Sequence, residues 1–192
     1  MSPSHVPGPG IEKVSAADAA PLGQFFEALA ADLETARFFH PHPLTIAYAT
    51  ELCARVSSCR DLYFVARWRG QIAGYSLLRG WDEGYAIPSV GVCVHPALRN
   101  AGLGHVLMAH AVEQSRAAGA PRLRLSVYRE NERGRHVWAK FGYVFSDKNE
   151  HELLGLLELT PPPSLPPVAV DVAKLDAWLE ALERPVWLRP AG

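Results

Sequence analysis

The residues with the clearest chemical potential form a basic turn that contains two glycines, Arg99-Asn100-Ala101-Gly102-Leu103-Gly104. The turn follows a short apolar run, Ser89–Val94, and leads into a helical pattern that starts at Leu103. Free backbone N–H groups at a helix start, together with the helix dipole, bind anions. Glycine allows the backbone to approach a phosphate closely, because no Cβ stands in the way. The sequence therefore predicts a phosphate-binding turn.

This turn is neither of the two common glycine motifs of nucleotide-binding proteins. Leu107 occupies the position of the third glycine in G-x-G-x-x-G, which excludes a dinucleotide fingerprint. No Gly-Lys-Ser/Thr follows, which excludes a P-loop. Taken alone, the pattern is also compatible with an ordinary helix start that contains glycines.

The residues on either side predict the two elements that would position the turn. The run Ser89–Val94 is short, apolar and rich in β-branched residues, as a buried central strand requires. A helix is predicted over residues 103–118, with Gly119 placed to end it. Its apolar stripe has helical spacing and consists of Leu103, Val106, Leu107 and Ala111.

Alternating and β-rich runs predict the remaining strands, and helical spacing predicts the remaining helices. Residues 62–68 and 72–78 flank Arg69-Gly70-Gln71, which is a hairpin signal. Further strands are predicted at 11–14, 123–127, 143–145 and 153–159, and further helices from Ser15 or Asp18 through Leu33, at 44–56 and at 132–141.

The turn resembles the R/Q-x-x-G-x-G/A pyrophosphate motif of the GNAT superfamily of N-acetyltransferases. Downstream, Asn131, Gly134, Trp138 and Gly142-Tyr143 resemble the second motif of that family, N-x-x-A-x-x-x-Y-x-x-x-G-F. The two motifs are separated as they are in the family, and the order of predicted elements is similar over residues 11–159.

The resemblance implies a fold, a donor and a reaction. The fold would be α/β (α+β), with a mixed, mostly antiparallel central sheet of six to seven strands flanked by helices. The donor would be acetyl-CoA, whose acetyl group is attacked directly by an amine in a ternary complex. A backbone N–H aimed at the thioester oxygen would stabilise the oxyanion of the tetrahedral intermediate.

The resemblance also implies which residues contact acetyl-CoA. The thioester and pantetheine arm would meet backbone groups of Val92 and Val94, and Asn131 would meet the arm beside the next strand. Trp138 falls at a further motif position. The pyrophosphate would be held by Arg99, Asn100, Ala101, Gly102, Leu103 and Gly104, with His105 following.

Two positions depart from the family pattern. Trp138 stands where the family usually has the tyrosine that protonates the departing thiolate, and an indole N–H is no general acid. Ser126 stands five residues before the motif asparagine, where members that acetylate ribosomal protein N-termini resemble one another in a glutamate. This second departure argues against that substrate class.

The acceptor side would be formed by the loop Arg79-Gly80-Trp81-Asp82-Glu83-Gly84-Tyr85, just ahead of the donor-binding strand. Glu83 is the predicted base that takes the amine proton, and Asp82 is its shorter, structural partner. Trp81 and Tyr85 would supply flat apolar walls. The alternative is that the acids form ordinary polar turn chemistry.

Two histidines follow the first predicted helix and could contact the acceptor. His40 and His42 alternate with prolines, whose extended geometry directs the two side chains apart. No third ligand is visible, so no metal site is predicted. A plain surface loop is the alternative interpretation.

The chain ends are predicted to lie outside the catalytic domain. Residues 1–10 are interpreted as a flexible tail without a signal or anchor segment, residues 11–159 as the acetyltransferase domain, and residues 160–192 as a Pro-rich linker with an amphipathic helix. The last segment is expected to be dispensable for acetyl-CoA binding. The apolar face of its helix consists of Leu175, Trp178, Leu179 and Leu182.

The composition excludes several classes of partner. A formal net charge of -1 gives no reason to expect nucleic acid or a membrane surface. Three cysteines are too few and odd in number for a disulfide framework, so a reduced, cytoplasmic setting is predicted. A homodimer is left open. A basic stretch is interpreted as a mostly solvated face, of which one or two members meet the CoA 3′-phosphate: Arg122, Arg124, Arg129, Arg133 and Arg135.

Three functions remain open at this level. The leading prediction is an N-acetyltransferase that acts on the primary amine of a small molecule, such as an amino sugar. A protein or peptide N-acetyltransferase is the second. Because of Trp138, the third is a non-catalytic acyl-CoA-binding regulatory module.

Overall fold

The computed structural model describes residues 8–39 and 41–183, which form a seven-stranded mixed sheet with helices on both faces. The order is β1-β2-β3-β4-β5-β7-β6, and all neighbours are antiparallel except β4 and β5. The predicted fold class is therefore confirmed. The strands are β1 Gly10–Lys13, β2 Leu62–Trp68, β3 Gln71–Arg79, β4 Ser89–Val94, β5 Arg122–Tyr128, β6 Val144–Asp147 and β7 Glu152–Glu158.

The helices follow the predicted pattern, except that the first predicted helix is divided into two. They are α1 Ala19–Ala30, α2 Leu33–Phe38, α3 Ile46–Arg55, α4 Leu103–Ala117, α5 Glu132–Lys140 and α6 Val172–Glu183. The sequence predicts one helix through Leu33, but α1 ends at Ala30. The Asp32 carboxylate accepts a hydrogen bond from the Thr35 amide at 2.8 Å, which caps α2 as a separate helix.

The two faces of the sheet bury different core residues because successive side chains alternate along a strand. Tyr63 and Leu77 pack with α1 and α3, whereas Phe64 and Leu78 pack with α4 on the opposite face. The turn between β2 and β3 has positive φ at Arg69 and Gly70, as a tight hairpin requires.

The parallel pair β4 and β5 is joined at one position only. Ser89 and Arg124 are in register, and no later residue of β4 pairs with β5. The strands therefore diverge from this point towards their carboxyl ends. The divergence leaves a gap in the middle of the sheet, beside the turn that leads into α4.

The carboxyl-terminal segment docks on the domain. Leu175, Trp178 and Leu179 of α6 are buried against a cluster that includes Trp68 and Leu98, whereas Leu182 of the predicted apolar face is 38% exposed. No helix within the described residues is both long and apolar enough to cross a membrane.

Candidate active site

A cleft of about 1050 Å³ opens where β4 and β5 separate. It extends from the turn before α4 to the β3–β4 loop, and α2 and the β6–β7 connection contribute further walls. The cleft brings together most residues predicted to contact the donor: Val92, Val94, Arg99, Asn100, Gly102, Leu103, Gly104, His105, Asn131 and Trp138.

The turn before α4 presents unpaired backbone donors to the cleft. Asn100 has φ 65° and Gly102 has φ 83°, so the chain bends through two left-handed residues before α4 begins. Within the described part of the chain, the amides of Asn100, Gly102, Leu103 and Gly104 have no hydrogen-bond acceptor. A Cβ added at Gly104 would meet no atom within 4 Å. The turn can therefore receive an anion from the cleft.

The Arg99 guanidinium is directed to α2. It donates to both carboxylate oxygens of Asp32 and to the Thr35 hydroxyl at 3.0 Å. The Arg99 hydrogen bonds hold the pKa of the Asp32 carboxyl well below its usual range. The Arg99 side chain is thus occupied in bracing the turn, so the turn presents to an anion its unpaired amides rather than this guanidinium.

Arg133, at the start of α5, supplies a second contact over the same turn. Its Nη2 donates to the Asn100 side-chain oxygen at 2.6 Å, and the residue lines the cleft. In the sequence it is only one member of a basic stretch. Its position in the first turn of α5, beside a motif asparagine, is the signal that singles it out.

Asn131 and Gly134 form the cap of α5. The Asn131 side-chain oxygen accepts a hydrogen bond from the Gly134 amide at 2.8 Å. A Cβ at Gly134 would lie 2.7 Å from the Asn131 side-chain nitrogen, so any larger residue here would displace the capping side chain. Trp138, on the next turn of α5, lines the cleft and packs edge-on against Tyr143 with 6.0 Å between ring centroids.

A carboxylate that sequence reasoning missed holds the β3–β4 loop in place. Asp61 is 5% exposed and accepts hydrogen bonds from three successive amides, at 2.9 Å, 2.8 Å and 3.2 Å. These amides belong to Gly80, Trp81 and Asp82. No local pattern reveals this role, because Asp61 precedes a strand and acts on residues about twenty positions away.

The loop separates the acidic pair that the sequence predicts. The Asp82 carboxylate accepts a hydrogen bond from the Arg60 amide at 2.8 Å, and this bond lowers the pKa of Asp82. Asp82 does not line the cleft, whereas Glu83 does. The Glu83 side chain is 54% exposed and lies 3.4 Å from an Arg79 nitrogen.

The two predicted aromatic walls are not brought to the cleft. Trp81 is 9% exposed and packs in the core with Phe64 and Leu78, because Asp61 turns the loop backbone towards the sheet. Tyr85 lies just outside the cleft lining and covers the Arg124 guanidinium, with 4.6 Å from its central carbon to the ring centroid.

His42 lies in the core and does not line the cleft. One ring nitrogen is 2.9 Å from the Pro43 carbonyl oxygen, the other is 3.2 Å from the Tyr75 hydroxyl, and the ring stacks on Tyr48 at 4.2 Å. Burial lowers the pKa of His42 to about 4, so the ring is neutral near pH 7. The prediction for His40 lies outside the described residues.

Sequence comparison places the chain in a family. The model of the GNAT acetyltransferase family matches residues 26–143, which is more than half of the chain. The chain belongs to the GNAT acetyltransferase family. No curated protein sequence matches it.

Solved structures of other proteins share the fold at low sequence identity. A GNAT acetyltransferase from Streptococcus pneumoniae is 23% identical with a TM-score of 0.66, over 78% of this chain and 98% of its own. PaiA N-acetyltransferase from Thermoplasma acidophilum, in complex with coenzyme A, is 16% identical with a TM-score of 0.65. The match covers 79% of this chain and 99% of the PaiA chain. YncA from Salmonella typhimurium, with acetyl-CoA, is 18% identical with a TM-score of 0.63. The match covers 80% of this chain and 95% of the YncA chain.

The carboxyl-terminal extension lies beyond the family match and contacts the turn directly. The Asp171 amide donates to the Ala101 carbonyl at 3.0 Å, and Lys174 Nζ donates to the Arg99 carbonyl at 2.5 Å. Ala101 is therefore buried beneath the extension and does not line the cleft. A Cβ at Gly102 would lie 2.0 Å from the Ala169 carbonyl oxygen, so this glycine is required by the extension.

These contacts argue against the expectation that the extension is dispensable for donor binding. Truncation after Leu159 should weaken acetyl-CoA binding by about 10-fold, because the turn loses two hydrogen bonds and must be ordered on binding. Lys174→Met removes one brace and keeps the apolar stem, so it should weaken binding by about threefold. Isothermal titration measures both effects.

The control is Lys13→Met, which removes an exposed lysine far along the chain from the turn. Since truncation uncovers Trp68 and Leu98, circular dichroism must first show that the shortened protein is folded. Unaltered acetyl-CoA affinity in a folded truncated protein and in Lys174→Met would show that the extension is dispensable for donor binding.

Proposed function

We propose that the chain is an N-acetyltransferase that moves the acetyl group of acetyl-CoA to the primary amine of a small molecule. The observation that carries this proposal is the single continuous cleft that joins unpaired amides of a helix-start turn to a carboxylate, Glu83, at its other end. The family membership and two structural neighbours, which hold coenzyme A and acetyl-CoA, support the choice of donor.

The residues present fit a CoA donor. The pyrophosphate would be held by the amides of Gly102, Leu103 and Gly104, where added bulk at Gly104 would project into open space. The thioester and pantetheine arm would run along Val92 and Val94, whose strand has lost its β5 partner. Asn131 and Trp138 would form the wall beside the arm.

The reaction needs a neutral amine and a leaving thiolate. The amine nitrogen attacks the thioester carbon and forms the C–N bond, and a β4 amide stabilises the oxyanion of the tetrahedral intermediate. Collapse of this intermediate breaks the C–S bond, and the nitrogen loses its second proton to solvent. Glu83 accepts the proton that the ammonium must lose, directly or through water. A thiol with a pKa of roughly 8.5 leaves as a thiolate near neutral pH and takes a proton from solvent.

Trp138 is proposed to supply packing and no proton. Trp138→Phe keeps an aromatic ring against Tyr143 and removes the indole N–H. Turnover should fall by about threefold or less, well short of the roughly 10²–10⁴-fold of a lost general acid. Steady-state kcat decides this. A fall of 100-fold in a variant with native circular dichroism would show that the indole N–H takes part in the chemistry.

The proposed function is tested with acetyl-CoA and a panel of acceptors, read by release of the CoA thiol. Release with small primary amines but not with peptides is expected. Release of the CoA thiol only with peptides would show that the acceptor is a peptide or protein amine and not a small molecule. Binding of acetyl-CoA without release for any acceptor would favour a non-catalytic acyl-CoA-binding module. The three unpaired cysteines accord with a cytoplasmic setting, which remains part of the proposal.

A further inference from the structure

The end of the cleft beside the β3–β4 loop contains an arginine that is held in place on three sides. Arg124 Nε donates to the Ser89 hydroxyl at 2.8 Å. The Tyr85 ring covers the guanidinium at 4.6 Å, and Nη2 lies beside Gly80, 3.7 Å from where a Cβ would stand. The side chain is half-buried. The guanidinium is therefore fixed in position, and its terminal nitrogens keep donor capacity for a ligand.

Arg124 is also the cation of the cleft that lacks a carboxylate. Within the described part of the chain, every other arginine or lysine that lines the cleft has a carboxylate oxygen within 4.0 Å of a side-chain nitrogen. Arg124 has no carboxylate oxygen within that distance among the described residues. A half-buried cation without a counter-charge is costly unless its ligand supplies the charge. The pairs are Arg79–Glu83, Arg99–Asp32, Arg133–Glu34 and Lys148–Glu152.

The position of Arg124 separates it from the donor phosphates. Ser89 and Arg124 form the one register pair of β4 and β5, from which the two strands diverge. The phosphate-binding turn follows the opposite end of β4, at Val94. A strand rises about 3.3 Å per residue, so five residues place the two ends roughly 16 Å apart. An anion held by Arg124 therefore belongs to the acceptor.

We propose that Arg124 binds a carboxylate of the acceptor, so that the acceptor is an amino acid or a similar small amine with a carboxylate. This inference rests on the proposed function. The planar fork of a guanidinium matches a carboxylate with two parallel hydrogen bonds. Glu83, on the loop whose Gly80 lies beside Arg124, supplies the opposite charge for the ammonium. The acceptor end of the cleft is thus complementary to a zwitterion.

The test compares amino acids with their carboxamides as acceptors, with rates referred to the concentration of free amine. The wild-type protein should prefer the acids by about 30-fold in kcat/KM, mostly through KM. Arg124→Gln should abolish the preference and Arg124→Lys should restore part of it. Arg122→Gln, on the same strand but exposed and paired with Glu158, is the matched control and should keep the preference.

A binding measurement separates this inference from the proposed function. Amino acids are titrated into the protein saturated with CoA, and acetyl-CoA affinity is measured for each variant. Acids should bind to the wild type and about 30-fold more weakly to Arg124→Gln, with acetyl-CoA affinity unchanged. Such binding without turnover would sustain the carboxylate site and overturn acetyl transfer. Equal use of acids and carboxamides by wild type and Arg124→Gln would overturn the carboxylate site and sustain acetyl transfer.

Discussion

Replacement of Gly104 by valine should weaken acetyl-CoA binding by about 100-fold or more and leave the fold intact. A Cβ at Gly104 meets no protein atom within 4 Å, so the added side chain does not strain the protein. It projects at the start of α4, beside amides that have no acceptor among the described residues. Because a phosphate must approach these amides closely, the valine side chain competes with it for the same space.

The choice of Gly104 over Gly102 is decisive for this experiment. Valine at Gly102 would clash with the Ala169 carbonyl oxygen, so a loss of affinity there could come from displacement of the extension. Gly10→Val is the matched control, since a Cβ at Gly10 also meets nothing within 4 Å and the residue does not line the cleft. Isothermal titration of acetyl-CoA into the wild type, Gly104→Val and Gly10→Val measures the effect. Wild-type affinity in folded Gly104→Val would remove the turn from the donor site.

Replacement of Glu83 by glutamine should lower kcat/KM by about 100-fold at neutral pH. The substitution keeps the size of the side chain and removes its ability to take a proton. The Asp61 amide bonds hold the loop independently of Glu83, so the loop should keep its course. The deficit should shrink as pH rises, because free amine is then plentiful and needs no base.

A pH–rate profile with one identified acceptor measures this effect. Glu150→Gln is the control, because Glu150 also lines the cleft but comes from the β6–β7 connection. Asp82 is not a suitable control, since its carboxylate holds the Arg60 amide. Parallel profiles of similar height for wild type and Glu83→Gln would show that Glu83 is not the base. Glu83 would then be an ordinary polar residue of the turn, which is the alternative interpretation given in the sequence analysis.

The features that could be read from the sequence are those determined by neighbouring residues. The turn Arg99–Gly104, the hairpin around Gly70 and the helix from Leu103 each depend on a contiguous stretch. Backbone conformation and helix capping act over a few residues, so glycine positions and apolar spacing carry the information. Most of the turn residues that are expected to contact the donor lie together in one cleft for the same reason.

The roles of several side chains depended on partners far along the chain. Arg99 contacts Asp32, 67 residues earlier, and Trp81 lies in the core because Asp61, 20 residues earlier, holds its amide. Nothing in the local pattern of these residues indicates which distant group they meet. The sequence therefore identified the loops of the site without resolving which of their side chains enter the cleft.

By itself, the sequence determined the family, the glycine-containing turn before α4 and the alternation of strands and helices, because these follow from local backbone chemistry and apolar periodicity. Only the tertiary structure decided where β4 and β5 part, that Arg124 faces the cleft without a counter-charge among the described residues, and that the extension braces the turn through Asp171 and Lys174. The physical reason is that strand divergence, desolvation and docking arise from packing between distant segments, which no single stretch of residues encodes.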